Sequence, residues 1–358
     1  MTVKRYVANS DTTITNAFED NLVTRGTGSN MGRADSLEVF SIYAQESTGS
    51  SELSRILVGF PVSDITTDRT NGTIPASGSV SFYLRMFNAV TPFTVPRNFT
   101  LVATAVSGAR ENTGAEIDFN WQEGNGLDME GYTDLTRNGN GANWINMGSS
   151  SALGVVKWGN KSSPSVGGVY YDEPNKSTFT QTFDNGTEDL EIDITPLVEQ
   201  WVNSAGNVLG SKPNYGIGIH LTSSDEVYVA TADASTNVPA NPAGARRSYY
   251  DKKFFARSSE FFFKRPVIEA RWDSSLKDNR GNFFYSSSLA TADENIQTLF
   301  LYNYFRGELR NIPNLTNDVI YVSFRSGSAD NSEPQGPRLK LQDTPHSPAA
   351  GDGTPAEF

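Results

Sequence analysis

Apolar and polar residues alternate with a period of two from the start of the chain to about Trp272, broken at short intervals by clusters of Gly, Asn, Asp, Ser or Pro. A chain patterned in this way buries its apolar side only as short strands stacked in sheets, because alternate side chains of a strand point to opposite faces. In Ser79–Phe87, residues Val80, Phe82, Leu84 and Met86 share one face, opposite Ser81, Tyr83 and Arg85. The same alternation reads a strand over Ile56, Val58, Phe60 and Val62, with Pro61 marking a strand end, edge or bulge. It reads further strands over Ile217, Ile219 and Leu221, and over Ile268, Ala270 and Trp272. Aromatic residues make up 11% of the chain, alongside 31 Gly and 17 Pro, a balance that favours strands and tight turns over long helices.

One segment departs from this pattern. Thr195-Pro196 offers a helix N-cap followed by proline at the first helical position, and Leu197, Val198, Trp201 and Val202 then fall on one helical face before Gly206. A single short helix is expected there, with Trp201 plugging the core. Asn112–Gly168 is dense in Gly, Asn and Ser and reads as long loops carrying short strands, while Thr231–Ala245 reads as an exposed loop. After Trp272 a polar, turn-prone stretch precedes a new aromatic run at Phe283. The expected architecture is therefore all-β: an antiparallel, jelly-roll-like β-sandwich with one short helix over residues 1–275, then a small β-rich assembly domain over 276–358. In that second domain, strands are expected at Leu299–Phe305, Val319–Phe324 and Arg338–Leu341, and the thin core suggests completion by a neighbouring subunit.

Charge and residue inventory narrow the chemistry. A net charge of −12 with scattered Lys and Arg argues against nucleic acid, whose binding needs clustered cations. The sequence has no cysteine, which removes disulfides, thiolate nucleophiles and cysteine-bound zinc. No stretch approaches the ~20 apolar residues of a membrane span, and Met1–Ala17 shows no apolar core after Lys4-Arg5, so neither membrane insertion nor export through a cleaved signal is expected. The two histidines, His220 and His346, stand without the sequence setting of a nucleophile elbow, a phosphate loop or a zinc-protease helix.

Three residue groups are candidates for binding or catalysis. Trp121, Trp144, Trp158, Tyr170 and Tyr171 lie in the loop-rich region and are candidate platforms for stacking on a glycan, with packing against their own loops as the alternative. Asp118, Asn120 and Glu123 begin like a calcium loop, but glycine is displaced and Met129 stands where a bidentate glutamate belongs. An irregular Ca²⁺ site or a simple turn are the two readings, and no other cofactor is expected. Asp189, Glu191 and Asp193 alternate on one strand face, either as a solvated face or as a glycosidase-like arrangement.

Read in order, these blocks resemble the DNRLRE-type domain, a β-sandwich related in shape to carbohydrate-binding modules. The resemblance covers approximately residues 3 to 272. It is carried by Ser54-Arg55-Ile56-Leu57-Val58-Gly59-Phe60 leading to Asp64-Ile65, by Trp121-Gln122-Glu123-Gly124, and by Asn143-Trp144. Its most specific part is Asp193-Ile194-Thr195-Pro196-Leu197-Val198-Glu199-Gln200-Trp201 followed by Asn214-Tyr215-Gly216, with Arg265-Pro266-Val267-Ile268-Glu269 closing the series. Leu299–Leu315, Val319–Asn331 and Gly336–Leu341 resemble tandem strands of virion proteins from marine tailed phages.

What the two resemblances imply is a non-enzymatic structural component of a tailed-bacteriophage virion (tail, neck, fibre, baseplate or capsid surface), assembled in the host cytoplasm and released by lysis. Its partners would be copies of itself and other virion proteins. The alternatives are an adhesin that binds a host-surface glycan and a polysaccharide-degrading enzyme.

Overall fold

The structure, a computed structural model, describes residues 2–19, 21–43, 51–91, 95–111, 113–127, 141–203, 209–232, 237–274, 303–306 and 308–309. The chain divides into two compact units, Met1–Asp273 and Ser274–Phe358. The first opens with β1 (Thr2–Val7), β2 (Ser10–Thr15), β3 (Ser36–Tyr43), β4 (Glu52–Gly59), α1 (Val62–Thr70), β5 (Ser81–Met86) and β6 (Phe99–Ala105). Four short strands follow, β7 (Asn146–Ser150), β8 (Gly154–Lys157), β9 (Gly159–Asn160) and β10 (Ser163–Pro164). The unit continues through β11 (Thr178–Phe183), β12 (Leu190–Asp193), α2 (Thr195–Val202), β13 (Ile217–Leu221) and β14 (Ser248–Phe255), and ends with β15 (Val267–Trp272).

Two antiparallel sheets form the body, one in the order β1-β15-β5-β12 and a larger one in the order β11-β6-β13-β4-β3-β14, with β2 also paired to β4. The larger sheet curls into a half-barrel, and the first unit is an all-β sandwich. Their facing sides enclose the main core: Tyr6, Phe82, Leu84, Met86, Ile192 and Ile268 from the first sheet meet Ile56, Val58, Leu101, Ile217, Ile219 and Phe254 from the second. Strand β5 alternates strictly between buried and half-buried positions, as its sequence dictates.

Strands β4 and β6 behave differently, being buried on both faces, and their sequences accordingly read as near-continuous apolar runs, Ile56-Leu57-Val58 and Leu101-Val102-Ala103. The far face of the larger sheet carries a second core, in which Ile14, Leu53, Leu57 and Val106 pack against Trp121, Trp144, Met147 and Trp158. Asn112–Gly168, read from the sequence as long loops carrying short strands, holds four short strands, β7 to β10. Its described residues fold back as a third layer held by the pairs β7-β8 and β9-β10. Gly218 of β13 makes this close approach possible, because any Cβ there would enter the Tyr170 ring lying over it. Part of Thr231–Ala245 also belongs to this layer, since Val238 is buried and the Asn237 carbonyl receives a hydrogen bond from Trp144.

Among the described residues there are two α-helices where one was expected. The strand read through Val62 ends at Gly59, and α1 begins directly after Pro61. Its sequence is a poor helix former, and Thr66, Thr67 and Thr70 each donate a hydroxyl hydrogen bond to the carbonyl four residues earlier. Tertiary contact supplies the compensation: Val62 and Ile65 are buried, and Arg69 makes two hydrogen bonds, 2.8 and 2.6 Å, to the Glu199 carboxylate on α2. Helix α2 buries Leu197 and Val198, half-buries Trp201 and Val202, and ends at Val202; Gly206 lies outside the described residues.

Of the second unit, the described residues form a hairpin of β16 (Tyr304–Phe305) and β17 (Glu308–Leu309). The strands expected at Val319–Phe324 and Arg338–Leu341, and His346, lie outside the described residues. Among the described residues no helix is long and apolar enough to cross a membrane.

Candidate functional site

Of the five aromatic residues proposed as a glycan platform, Trp121, Trp144, Trp158 and Tyr170 pack into the third layer and Tyr171 packs against the main core. Trp144 and Trp158 are 0% exposed and Trp121 is 5% exposed, so their ring faces are closed to a sugar. Each indole N–H donates to a backbone carbonyl, Trp121 to Tyr215 at 2.8 Å, Trp144 to Asn237 at 2.7 Å and Trp158 to Asn143 at 2.8 Å. A buried indole requires such a partner, and here the bond also fixes the loop that carries it. Tyr170 donates to Gly167 O at 2.9 Å and lies 5.3 Å from the His220 ring, while Tyr171 donates to Glu116 at 2.8 Å. The three tryptophan rings cover the apolar far face of the larger sheet, whereas Tyr170 and Tyr171 stay half-buried.

The calcium reading meets a similar outcome. Asp118 and Asn120 are exposed, whereas Glu123 turns inward to Arg257, which donates at 2.8 Å to Oε1 and 2.7 Å to Oε2. Glu123 Oε1 also accepts the Asp11 N–H at 2.9 Å. A carboxylate with both oxygens engaged by a guanidinium is a poor ligand for a hard cation, and among the described residues no group of three or more His, Asp or Glu is placed to hold a metal ion. The trio pins the third layer to the sandwich instead. Beneath it Asp11 is fully buried on β2, and burial pushes its carboxyl up to about 7 against the pull of the Arg257 N–H.

The acidic row of β12 is also taken up internally. Glu191 pairs with Arg271 at 2.6 Å and with Arg85 at 3.2 Å, Asp189 accepts the Asn88 N–H at 2.8 Å, and Asp193 accepts the Thr195 hydroxyl at 2.6 Å. Thr195 in turn accepts the Phe82 N–H at 2.8 Å, tying α2 to β5. His220 has Nδ1 2.7 Å from Leu221 O, and burial together with the Arg55 charge lowers its pKa. Arg55 itself pairs with the buried Glu226 at 3.3 Å and donates to Gly167 O at 2.8 Å.

The surface also carries an apolar tip. Between β14 and β15 the chain makes a 3-10 turn, Phe262–Lys264, and Phe261, Phe262 and Phe263 stand 51%, 58% and 71% exposed. The turn is well braced: Arg265 donates to Ser259 O at 3.2 and 3.0 Å, Phe261 N–H to Ser259 Oγ at 3.2 Å, and Lys264 N–H to Phe261 O at 2.8 Å. Phe262 and Phe263 lie with ring centroids 3.8 Å apart, and Lys264 Nζ sits 4.6 Å from the Phe255 ring. Three adjacent phenylalanines held outward on a fixed turn represent burial free energy left unused. At ~1.5–3 kcal/mol for a fully exposed ring, contact of these partly exposed rings with a complementary surface would release roughly 3–5 kcal/mol. The sequence signal for this tip is Phe261-Phe262-Phe263 itself, three large apolar residues in succession without alternation.

No protein-family model matches the chain, and no curated protein matches it in sequence.

Proposed function

We propose that this chain is a non-enzymatic structural subunit of a tailed-bacteriophage particle, built on a DNRLRE-type sandwich and working through contacts with copies of itself and other virion proteins. The observation that carries this reading is the exposed Phe261-Phe262-Phe263 tip, an apolar surface on a braced turn that suits burial against a neighbouring subunit. The acidic row read as a glycosidase-like arrangement supports it too, since Glu191 pairs with Arg271 and Arg85, Asp189 accepts the Asn88 N–H and Asp193 accepts the Thr195 hydroxyl. The blocks that carry the family resemblance fall on structural joints: Asp193-Ile194-Thr195-Pro196 opens α2, and Asn214 donates to Phe60 O at 2.9 Å just ahead of β13.

Mass spectrometry of gradient-purified particles tests the proposal. The protein is expected in the particle at a fixed ratio to the other structural proteins, and the triple variant F261S/F262S/F263S is expected to fold as the parent does yet fail to incorporate. Recovery of the protein free in culture fluid, with none in particles, would overturn it.

A further inference from the structure

The outer face of the four-stranded sheet carries a feature that the assembly reading does not use. Strand register places Val3 and Arg5 of β1, Glu269 and Arg271 of β15, and Arg85 of β5 on that one face. Together these five residues line an open cavity of about 450 Å³. Three guanidinium groups meet on Glu269 there, and Glu191 at the margin pairs with Arg271 at 2.6 Å and with Arg85 at 3.2 Å.

Glu269 sets the geometry. Its side chain is only 3% exposed; Oε1 accepts from Arg5 Nε at 2.9 Å and Arg85 Nη1 at 3.3 Å, and Oε2 accepts from Arg271 Nε at 2.9 Å and Nη2 at 2.6 Å. Burial acts to raise the Glu269 pKa, but hydrogen bonds from Arg271 and Arg5 and the charge of Arg85 outweigh it, so the carboxylate stays ionised. One buried anion thus orients three cations without exhausting their donors. Arg271 is fully engaged, with Nη1 on Glu191 at 2.6 Å. Arg5, with its side chain 49% exposed, bonds through Nε alone, leaving both Nη groups without a hydrogen bond among the described residues. Arg85 Nη2 stands 3.8 Å from Asp189 Oδ2, too far for a hydrogen bond. Guanidinium N–H groups fixed in a fork and facing a solvent-filled cavity are what an oxyanion requires, because two parallel N–H···O bonds match the geometry of a carboxylate, sulfate or phosphate.

We propose that this cavity is a binding site for a small ligand bearing one oxyanion, seated on the two free Nη groups of Arg5 beside the Arg85 guanidinium and above Glu269. The cavity has the volume of a small-molecule site, and Val3 supplies an apolar wall for the body of the ligand. A sugar-borne carboxylate or sulfate and a free inorganic anion share this chemistry.

Isothermal titration calorimetry on the full chain at constant ionic strength, with inorganic phosphate, sulfate and glucuronate as probes, tests the site. Saturable binding of at least one probe is expected, weakened tenfold or more by Arg5→Met and unchanged by Lys161→Met, which removes an exposed cation elsewhere. Arg5 lies half in solvent, so Arg5→Met folds even if Arg85→Met does not. Tighter binding of glucuronate than of phosphate or sulfate identifies a sugar-borne group as the ligand, and the reverse order identifies a free anion. Heats that are absent for all three probes, or equal in the parent and Arg5→Met, overturn the proposal.

Discussion

Replacing Asp11 by asparagine should make the sandwich more resistant to unfolding at neutral and higher pH while leaving it little changed in acid. Asp11 Oδ2 accepts the Arg257 N–H, Oδ1 has no partner, and the residue is fully buried on β2. Burial is the main force raising its pKa from 3.8 to about 7; the Arg257 N–H opposes it, and the charge of Glu123 adds to it. Between those two values the native state holds a proton that the unfolded chain has already released. The native state therefore binds more protons, and stability falls as pH rises through the window, having been fully present below about 3.8. At 1.36 kcal/mol per unit the shift corresponds to a ceiling of ~4 kcal/mol, and relaxation of the site brings the expected loss to roughly 2–4 kcal/mol. The substituted asparagine retains an acceptor for the Arg257 N–H and does not titrate. Urea unfolding followed by tryptophan fluorescence measures the effect cleanly, because all five tryptophans lie within Met1–Asp273. The gap between Asp11→Asn and the parent should open from near zero at pH 4 to about 2–4 kcal/mol at pH 8. Parallel stability profiles for the two proteins across that range would show the reasoning about this carboxyl to be wrong.

Two further outcomes follow from the buried polar groups and the third layer. Lys252, 2% exposed, donates to Asn88 Oδ1 at 2.6 Å, Glu188 O at 2.7 Å and Gly186 O at 2.8 Å, so Lys252→Met leaves those acceptors unpaired and should cost about 2–4 kcal/mol in urea unfolding. Burial lowers this lysine to about 8, so the parent should gain stability as pH rises from about 8 towards 10.5, a gain that Lys252→Met lacks. Trp144→Ala removes the centre of the second core and a hydrogen bond to Asn237, and is expected to cost about 3–5 kcal/mol and to speed limited proteolysis within residues 112–168, with no change in glycan-array signal; a glycan signal lost in a variant of parental stability would contradict the packing role.

The strands were legible because their signal is local. Val80, Phe82, Leu84 and Met86 fall inward along β5 by the same period of two that the sequence displays, and Thr195-Pro196 opens α2 by a rule that involves only adjacent residues. Helix α1 was not legible, since Ser63–Thr70 has little helical preference of its own and depends on the Arg69–Glu199 pair, 130 residues apart. The third layer was hidden for a related reason. Gly, Asn and Ser between Asn112 and Gly168 describe the backbone turns correctly but do not say whether the tryptophans among them face water. The clue lay elsewhere, in Ile56-Leu57-Val58 and Leu101-Val102-Ala103, where unbroken apolar runs require a cover on each side of the sheet. Glu123 looked like a cation ligand because its partner Arg257 is 134 residues away.

The chain has no cysteine, and the ties between distant segments are made by charge instead: Arg257 to Glu123, Arg55 to Glu226, Arg69 to Glu199, and Arg5, Arg85 and Arg271 to Glu269. The more buried of these pairs, Arg55–Glu226 and Arg69–Glu199, gain little net free energy over a well-packed apolar substitute, because desolvation offsets much of their attraction. Their effect is on geometry. A misplaced third layer or a slipped β15 would leave a buried carboxylate or guanidinium alone, at several kcal/mol, so each tie penalises the wrong arrangement more than it rewards the right one. A subunit whose surfaces must meet neighbours in one orientation benefits from that asymmetry. The same logic separates the two exposed features: the Phe261–Phe263 tip gains free energy only by being covered, while the arginine cavity, already oriented by Glu269, stays open to a ligand that the fold itself does not provide.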